Sequence, residues 1–312
     1  MEPKYDTILM TTPADYLRVR ANIQRQLRNL PSERMIFVGS SKVGELIGED
    51  SLDERCIFVD EESLIKFSDI ESIIKRRLNV DTVPRGIVGW YYQQFLKMKY
   101  STVCENDYYL IWDGDTVPCK TFSMFDATKE YPYLDLKHEY NEEYFVTMSK
   151  LIPGMGKVIG KSFISEHMLM NKNVMTELIA TIESNDNIFG ASFYEKILEA
   201  IPAEKIRGAS FSEYETYGTY VALRHQDMYR LRDWHSFRFG SIFWIADEMT
   251  DEDYEWLSKD FDAISFEKSE KYLPDYAALF QNPEYRQKLS ARQIVEAIQD
   301  LAFEGNKEVW EK

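Results

Sequence analysis

The residues best placed to do chemistry are Asp113 and Asp115, in the stretch YYLIWDGDTVP that spans 108–118. Five apolar or aromatic residues run straight into Asp113-Gly114-Asp115. That pattern predicts a buried strand ending in a sharp turn at the glycine. Two carboxylates two positions apart, with no side chain between them, can converge on one hard divalent cation. An open α/β sheet places its ligand at the carboxyl end of such a strand. Asp-x-Asp recurs at Asp251-Glu252-Asp253 and Asp260-Phe261-Asp262, in the polar, helix-like DEDYEWLSKDFD, where it reads as solvated surface. A second candidate stretch is FSEYETYGTYVALR (211–224). Ser212 and Glu215 have the spacing of a capping box, which accounts for Glu215 structurally. Glu213 falls in the first helical turn, where the dipole favours a carboxylate.

The elements that must position these groups are legible as periodicity. Thr7–Met10, MIFVG (35–39) and CIFVD (56–60) read as strands. Tyr16, Ile23, Leu27 and Leu30 recur at helical spacing, so 13–30 reads as one amphipathic helix with Thr12 as N-cap and Pro13 at its first position. Strand, helix and strand in this order suggest a Rossmann-like nucleotide-binding half. The lack of GxGxxG argues against a dinucleotide site. Residues 68–78 and 86–100 read as helices, 122–150 as an acidic, Tyr-rich loop, and 157–171 as strand-like. Helices follow at 174–184, 192–200 and 211–224; FRFGSIFWIAD (237–247) reads as strand-like and 251–259 as an acidic helix. A tail helix carries Ala291, Ile294, Ala297, Ile298 and Leu301 on one face.

GWYYQQFLK, WDGDTVP and SEYETYG carry a resemblance, over roughly residues 5–270, to bacterial glycosyltransferases of the GT-A type. More narrowly, the chain resembles a DxD-containing family first catalogued as of unknown function and later grouped with polysaccharide-building sugar transferases. The resemblance implies an α/β, Rossmann-like GT-A fold with a mixed central sheet: a transferase domain over 1–270 and a helical C-terminal extension over 271–312. It implies a nucleotide-sugar donor, UDP-linked, and Mn or Mg held by Asp113 and Asp115. A hexosyl group would pass to a hydroxyl of a saccharide or lipid-linked acceptor, with inversion. Glu213, 98 residues after Asp115, stands where such enzymes place the general base, with Glu215 as the alternative. His235 is the expected third metal ligand, against His167 and His225. Thr11, Thr12 and Asp15 would hold the base and ribose, although Thr12 is equally explained as a cap. Gln94 and Lys97 would lie beside the donor. Arg238 suits a diphosphate, or an ordinary ion pair.

Two other classes fit parts of the pattern. A haloacid-dehalogenase-type phosphatase would use Asp113 as nucleophile and Asp115 as general acid, with Asp247 and Asp251 downstream. It needs a late Lys, and none lies between Lys205 and Lys259. A non-catalytic sugar-binding module on a degenerate transferase fold is the other; the intact DGD and SEYE argue against it.

Composition sets the outer bounds. The 312 residues are 44% hydrophobic and 14% aromatic, enough for a substantial core. A net charge of -16 argues against a nucleic-acid partner and against a membrane gripped by overall charge. The cluster Arg18, Arg20, Arg25, Arg28 and Arg34 reads as a solvated helix face. Three cysteines without metal spacing suit a reducing compartment. No signal-peptide plan and no long apolar run are present. The expectation is a cytoplasmic protein, at most peripheral to the inner face of a membrane.

Overall fold

The computed structural model describes residues 3–268 and 270–302, with side chains to 296. Ten strands are present among them: β1 Tyr5–Met10, β2 Met35–Gly39, β3 Cys56–Asp60, β4 Tyr108–Trp112, β5 Thr116–Pro118, β6 Tyr133–Leu136, β7 His167–Asn171, β8 Arg230–Asp233, β9 Ser236–Phe237 and β10 Ala263–Ser265. The chain divides into two compact units. The first holds residues up to Pro13 with Ser32–Trp112 and Met124–Arg232; the second holds Ala14–Pro31, Asp113–Ser123 and residues from Asp233 onward. Residues 271–302 fall in the same compact unit as 233–268.

The first unit is α/β. Its sheet runs β3-β2-β1-β4-β7, parallel except for β7, which pairs antiparallel with β4. The unbroken apolar run of β4 fits its interior place in the sheet: Tyr109, Leu110, Ile111 and Trp112 are all fully buried, as a strand covered on both faces requires. Strand order reverses around β1, between β2 and β4, and such a switch point is where open α/β sheets bind ligands. Helices Phe67–Leu78, Arg85–Lys99, Lys172–Glu183, Phe193–Ala200 and Glu213–Arg224 bury Ile70, Phe95, Leu178, Ile197 and Tyr217 in one core with the sheet.

The second unit has the three-stranded sheet β5-β10-β9. Its core is aromatic: Phe237, Phe243, Trp244 and Phe280 cluster, with Phe243 and Phe280 rings 4.2 Å apart. Helix Ile23–Asn29 is tied to β5 by side chains: Gln26 Nε2 donates to the carbonyls of Gly114 (3.1 Å) and Thr116 (2.9 Å), and Asn29 Nδ2 to that of Pro118 (2.9 Å).

Several local expectations are corrected. The helix expected over 13–30 is two, Pro13–Val19 and Ile23–Asn29, joined by a 3₁₀ turn Arg20–Asn22. The turn sits in the apolar gap between Tyr16 and Ile23, and its tighter winding resets the phase so that both halves bury a face. Residues 122–150 are more than loop: they contain β6 and the helix Glu142–Leu151, whose first turn is capped by Asn141 accepting from Glu143. Within 157–171 only His167–Asn171 is strand. Within the strand-like 237–247 only Phe237 lies in a strand, the end of β9; Gly240–Phe243 is a short helix, the usual ambiguity of a short apolar run. The helix Ser41–Asp50, which buries Val43, Leu46 and Ile47 at i, i+3, i+4 spacing, is an element beyond those expected. Asp253 is buried rather than solvated, because it closes a capping box with Thr250 and pairs with Arg286. The basic cluster is a solvated face only at Arg20 and Arg28, which are exposed. Arg25 stacks over Tyr254 at 3.7 Å and pairs with Asp251, and Arg34 clamps the buried Asp6 with bonds of 2.9 and 2.7 Å. The tail helix spans Ala291–Ala302 with Ala291 and Ile294 buried; the side chains of Ala297, Ile298 and Leu301 lie outside the described set.

Candidate functional site

The expected residues fall into two groups, one in each unit. In the second unit, the turn Asp113-Gly114-Asp115 joins β4 to β5. Thr116 donates its amide to the Asp113 carbonyl (2.9 Å), and Phe266 donates its amide to the Asp115 carbonyl (2.9 Å). Gln26, fully buried, holds the turn through the Gly114 and Thr116 carbonyls. Burial, then the charge of Asp113, then that of Glu267 push the Asp115 carboxyl up to about 7 against the pull of Arg18, although 24% of the side chain stays exposed. Arg18 reaches Asp115 and Asp15, both at 3.6 Å, and donates to the Phe266 carbonyl. Asp15 is therefore linked to the DxD through Arg18, a residue that sequence reasoning left on a solvated face. Arg238 donates to Glu267 at 2.9 Å, the ordinary ion pair of the two readings.

Asp113 and Asp115 fit a divalent cation as a two-oxygen donor set: they are close enough for one carboxylate to disfavour ionisation of the other, a repulsion that a cation would relieve. Among the described residues no third His, Cys, Asp or Glu joins them in a metal-holding group. His235 is exposed; its amide donates to the Asp262 carboxylate (3.2 Å) and its carbonyl accepts from the Asp262 amide (2.6 Å). His167 belongs to the first unit, fully buried, with Nδ1 2.8 Å from the Ser165 carbonyl and Nε2 2.7 Å from Asp135. His225 stands 3.1 Å from Glu177. Two protein carboxylates nevertheless suffice for Mg-type binding, in which substrate phosphates and water complete the shell.

In the first unit the sequence-predicted Gln94, Lys97 and Glu213 come together. Lys97 Nζ lies 2.8 Å from Glu213 Oε1, and the two side chains are 6% and 4% exposed. Lys97 also donates to Tyr214 Oη (3.2 Å) and lies over that ring. Gln94 Oε1 accepts from the Glu213 amide (3.2 Å), satisfying one open N–H at the helix start, while its Nε2 donates to the Trp90 carbonyl (3.2 Å). Ser212 caps the Glu215 amide as expected, but the Glu215 carboxylate does not close the box. It accepts from the Ser162 hydroxyl and the Phe163 amide, and burial pushes its carboxyl up despite those bonds. Glu215 thus secures the 162–163 segment. Thr11 follows β1; its amide donates to the Val38 carbonyl (3.0 Å) and its hydroxyl to the Thr12 carbonyl (3.2 Å), with Thr12 exposed.

Residues 41–306 match the family described as "Family of unknown function (DUF6492)", and the chain belongs to that family. No curated protein matches. Among solved structures, the chain is similar to mouse xyloside xylosyltransferase 1 in its apo form, at 14% identity and TM-score 0.45, over 87% of this chain and 100% of that one. It is similar to the galactosyltransferase LgtC solved with donor and acceptor sugar analogues, at 12% identity and TM-score 0.41, over 91% and 100%. It is also similar to the apo glycosyltransferase GlyE of Streptococcus pneumoniae TIGR4, at 11% identity and TM-score 0.36, over 95% of this chain but 64% of that one. Likenesses this distant assign no activity to the chain. No helix among the described residues is long and apolar enough to cross a membrane.

Proposed function

We propose that the protein is a GT-A-type glycosyltransferase that moves a sugar from a nucleotide-sugar donor, UDP-linked, to a hydroxyl of a saccharide or lipid-linked acceptor with inversion. The observation that carries this reading is the carboxylate pair at the end of β4, where burial and the charge of Asp113 raise Asp115 to about 7. Asp113 and Asp115 would hold Mn or Mg, which supplies charge neutralisation for the departing nucleotide. Gln26 fixes the turn that presents them, and Arg18 sets a guanidinium 3.6 Å from Asp115. Glu213, with Lys97 as counter-ion and Gln94 anchoring its backbone, is the general base that takes the acceptor proton. Glu215 is already spent on Ser162 and Phe163, which supports Glu213 over it.

Thermal unfolding with UDP, GDP, CMP or buffer, each with and without Mn, tests the reading. A ligand bound only by the native state raises the midpoint. A UDP shift that requires Mn and disappears in Asp115→Ala is the expected result. No nucleotide shift, together with stabilisation by a phosphate mimic plus Mg, would move the chain to the phosphatase class.

A further inference from the structure

The first unit carries a small open cleft that none of the residues discussed above for donor or metal lines. Gly86, Ile87, Trp90, Arg207, Gly208 and Ala209 border it, and its volume is about 220 Å³. That is below the roughly 300–1,000 Å³ of drug-sized ligand sites, which suits one sugar ring and not a nucleotide. Its wall is built: the buried Tyr91 donates its hydroxyl to the carbonyls of Ile206 (3.1 Å) and Gly208 (3.3 Å), tying the 206–208 segment to helix Arg85–Lys99. Trp90 stands edge-on to Tyr91 at 4.8 Å and stays partly exposed. Gly86, Gly208 and Ala209 bring backbone to the opening, so a polar ring can reach peptide groups.

Arg207 decides the class of ligand. It is exposed and, among the described residues, forms no ion pair or hydrogen bond, in a chain whose net charge is -16. An indole face packs against sugar C–H groups, and an unpaired guanidinium beside it selects an anionic substituent by a charge-assisted, bidentate contact. The cleft is also coupled to Glu213, since the Trp90 carbonyl accepts from Gln94 Nε2 and Gln94 Oε1 accepts from the Glu213 amide.

We infer that this cleft binds one anionic pyranose ring of the acceptor, an inference that rests on the transferase reading for the word acceptor but not for the binding. The test is titration calorimetry on the full chain, without donor or metal. The probes are methyl glucuronide, glucose 6-phosphate, methyl glucoside and inorganic phosphate. One of the two anionic sugars binds, and which one identifies a carboxylate or a phosphate as the substituent. Arg207→Ala weakens it about tenfold, the loss expected for a charged hydrogen bond. Trp90→Ala weakens it as well. Because Trp90 also packs on the core, Gly86→Leu gives a second variant: a Cβ there meets no atom within 4 Å, so the fold tolerates it while the cleft fills. Asp115→Ala leaves sugar binding unchanged, so loss of the Mn-dependent nucleotide shift and loss of sugar binding are separate results. Equal binding of the neutral and anionic sugars, inorganic phosphate binding as tightly as the sugars, or an unchanged affinity in Arg207→Ala would overturn the inference, as would no binding by either anionic sugar.

Discussion

Lys97 and Glu213 form an ion pair of 2.8 Å that is almost wholly removed from solvent. A pair so placed is held by mutual need: taking away one partner leaves an uncompensated buried charge, at a cost of about 3–5 kcal/mol. Lys97→Met and Glu213→Gln are each expected to lower the unfolding midpoint clearly, and the double variant to recover much of that loss. Activity should divide differently. On the proposed transferase reading, with Glu213 as base, sugar transfer should fall about 10²–10⁴-fold with Glu213→Gln and stay low in the stability-recovered double variant, because the base would not be replaced. A double variant that regained transfer along with stability would reduce Glu213 to a structural ion.

Gln26 and Gly114 are joined across 88 positions of sequence by a hydrogen bond of 3.1 Å from the Gln26 Nε2 to the Gly114 carbonyl, with a companion bond to Thr116. Gln26 touches no proposed ligand, so it acts by positioning the carboxylates on either side of Gly114. Gln26→Leu keeps the bulk and removes both donors. Mn affinity, measured by titration calorimetry, should fall about 10–100-fold, as it does when outer-shell support of a metal ligand is lost. Unchanged Mn affinity would mean that the turn holds itself.

Much of this architecture was readable because local pattern and burial agree. Five-residue apolar runs at β2 and β4 became buried strands, and 86–100 became a helix within one residue of its expected ends. Gln94, Lys97 and Glu213 were singled out separately, and the fold brings them together. What sequence could not give is partner choice at long range. Arg18 and Asp15 share a helical turn, but nothing local says that Arg18 also reaches Asp115. Ser212-x-x-Glu215 has the form of a capping box, yet the carboxylate finds Ser162 and Phe163, about fifty residues away in sequence, a better-buried pair of donors. The burial of Asp253 likewise depends on Arg286, beyond any window of periodicity.

Asp135 predicts a pH dependence with a definite sign. Burial opposes its ionisation, but bidentate Arg232 (2.6 and 2.7 Å) and His167 (2.7 Å) outweigh that and hold the carboxyl below the usual range. A carboxyl depressed in the folded state contributes stability above its unfolded pKa of about 3.9, and loses it as pH falls through the lower folded value. The stability gap between wild type and Asp135→Asn should therefore be widest near neutral pH and narrow below about pH 4. A gap that stayed constant from pH 7 to pH 3 in denaturant titrations would show that shape, not charge, makes Asp135 matter.

Gly218 faces Phe163 so closely that an added Cβ would stand 2.3 Å from the ring's Cγ. Phe163 is fully buried, and its amide is one of the donors to Glu215, so the glycine keeps the helix Glu213–Arg224 against the segment that Glu215 secures. Gly218→Ala would raise helix propensity elsewhere; here overpacking should dominate and cost about 1–3 kcal/mol. Trimming the ring should then relieve the clash, so Gly218→Ala with Phe163→Leu is expected to be more stable than the sum of the single changes, a coupling that denaturant titration of the four proteins measures. If the alanine variant matched or exceeded wild type in stability, the 162–163 segment would have to be free to retreat, and its role in holding the start of the Glu213 helix would fall with it.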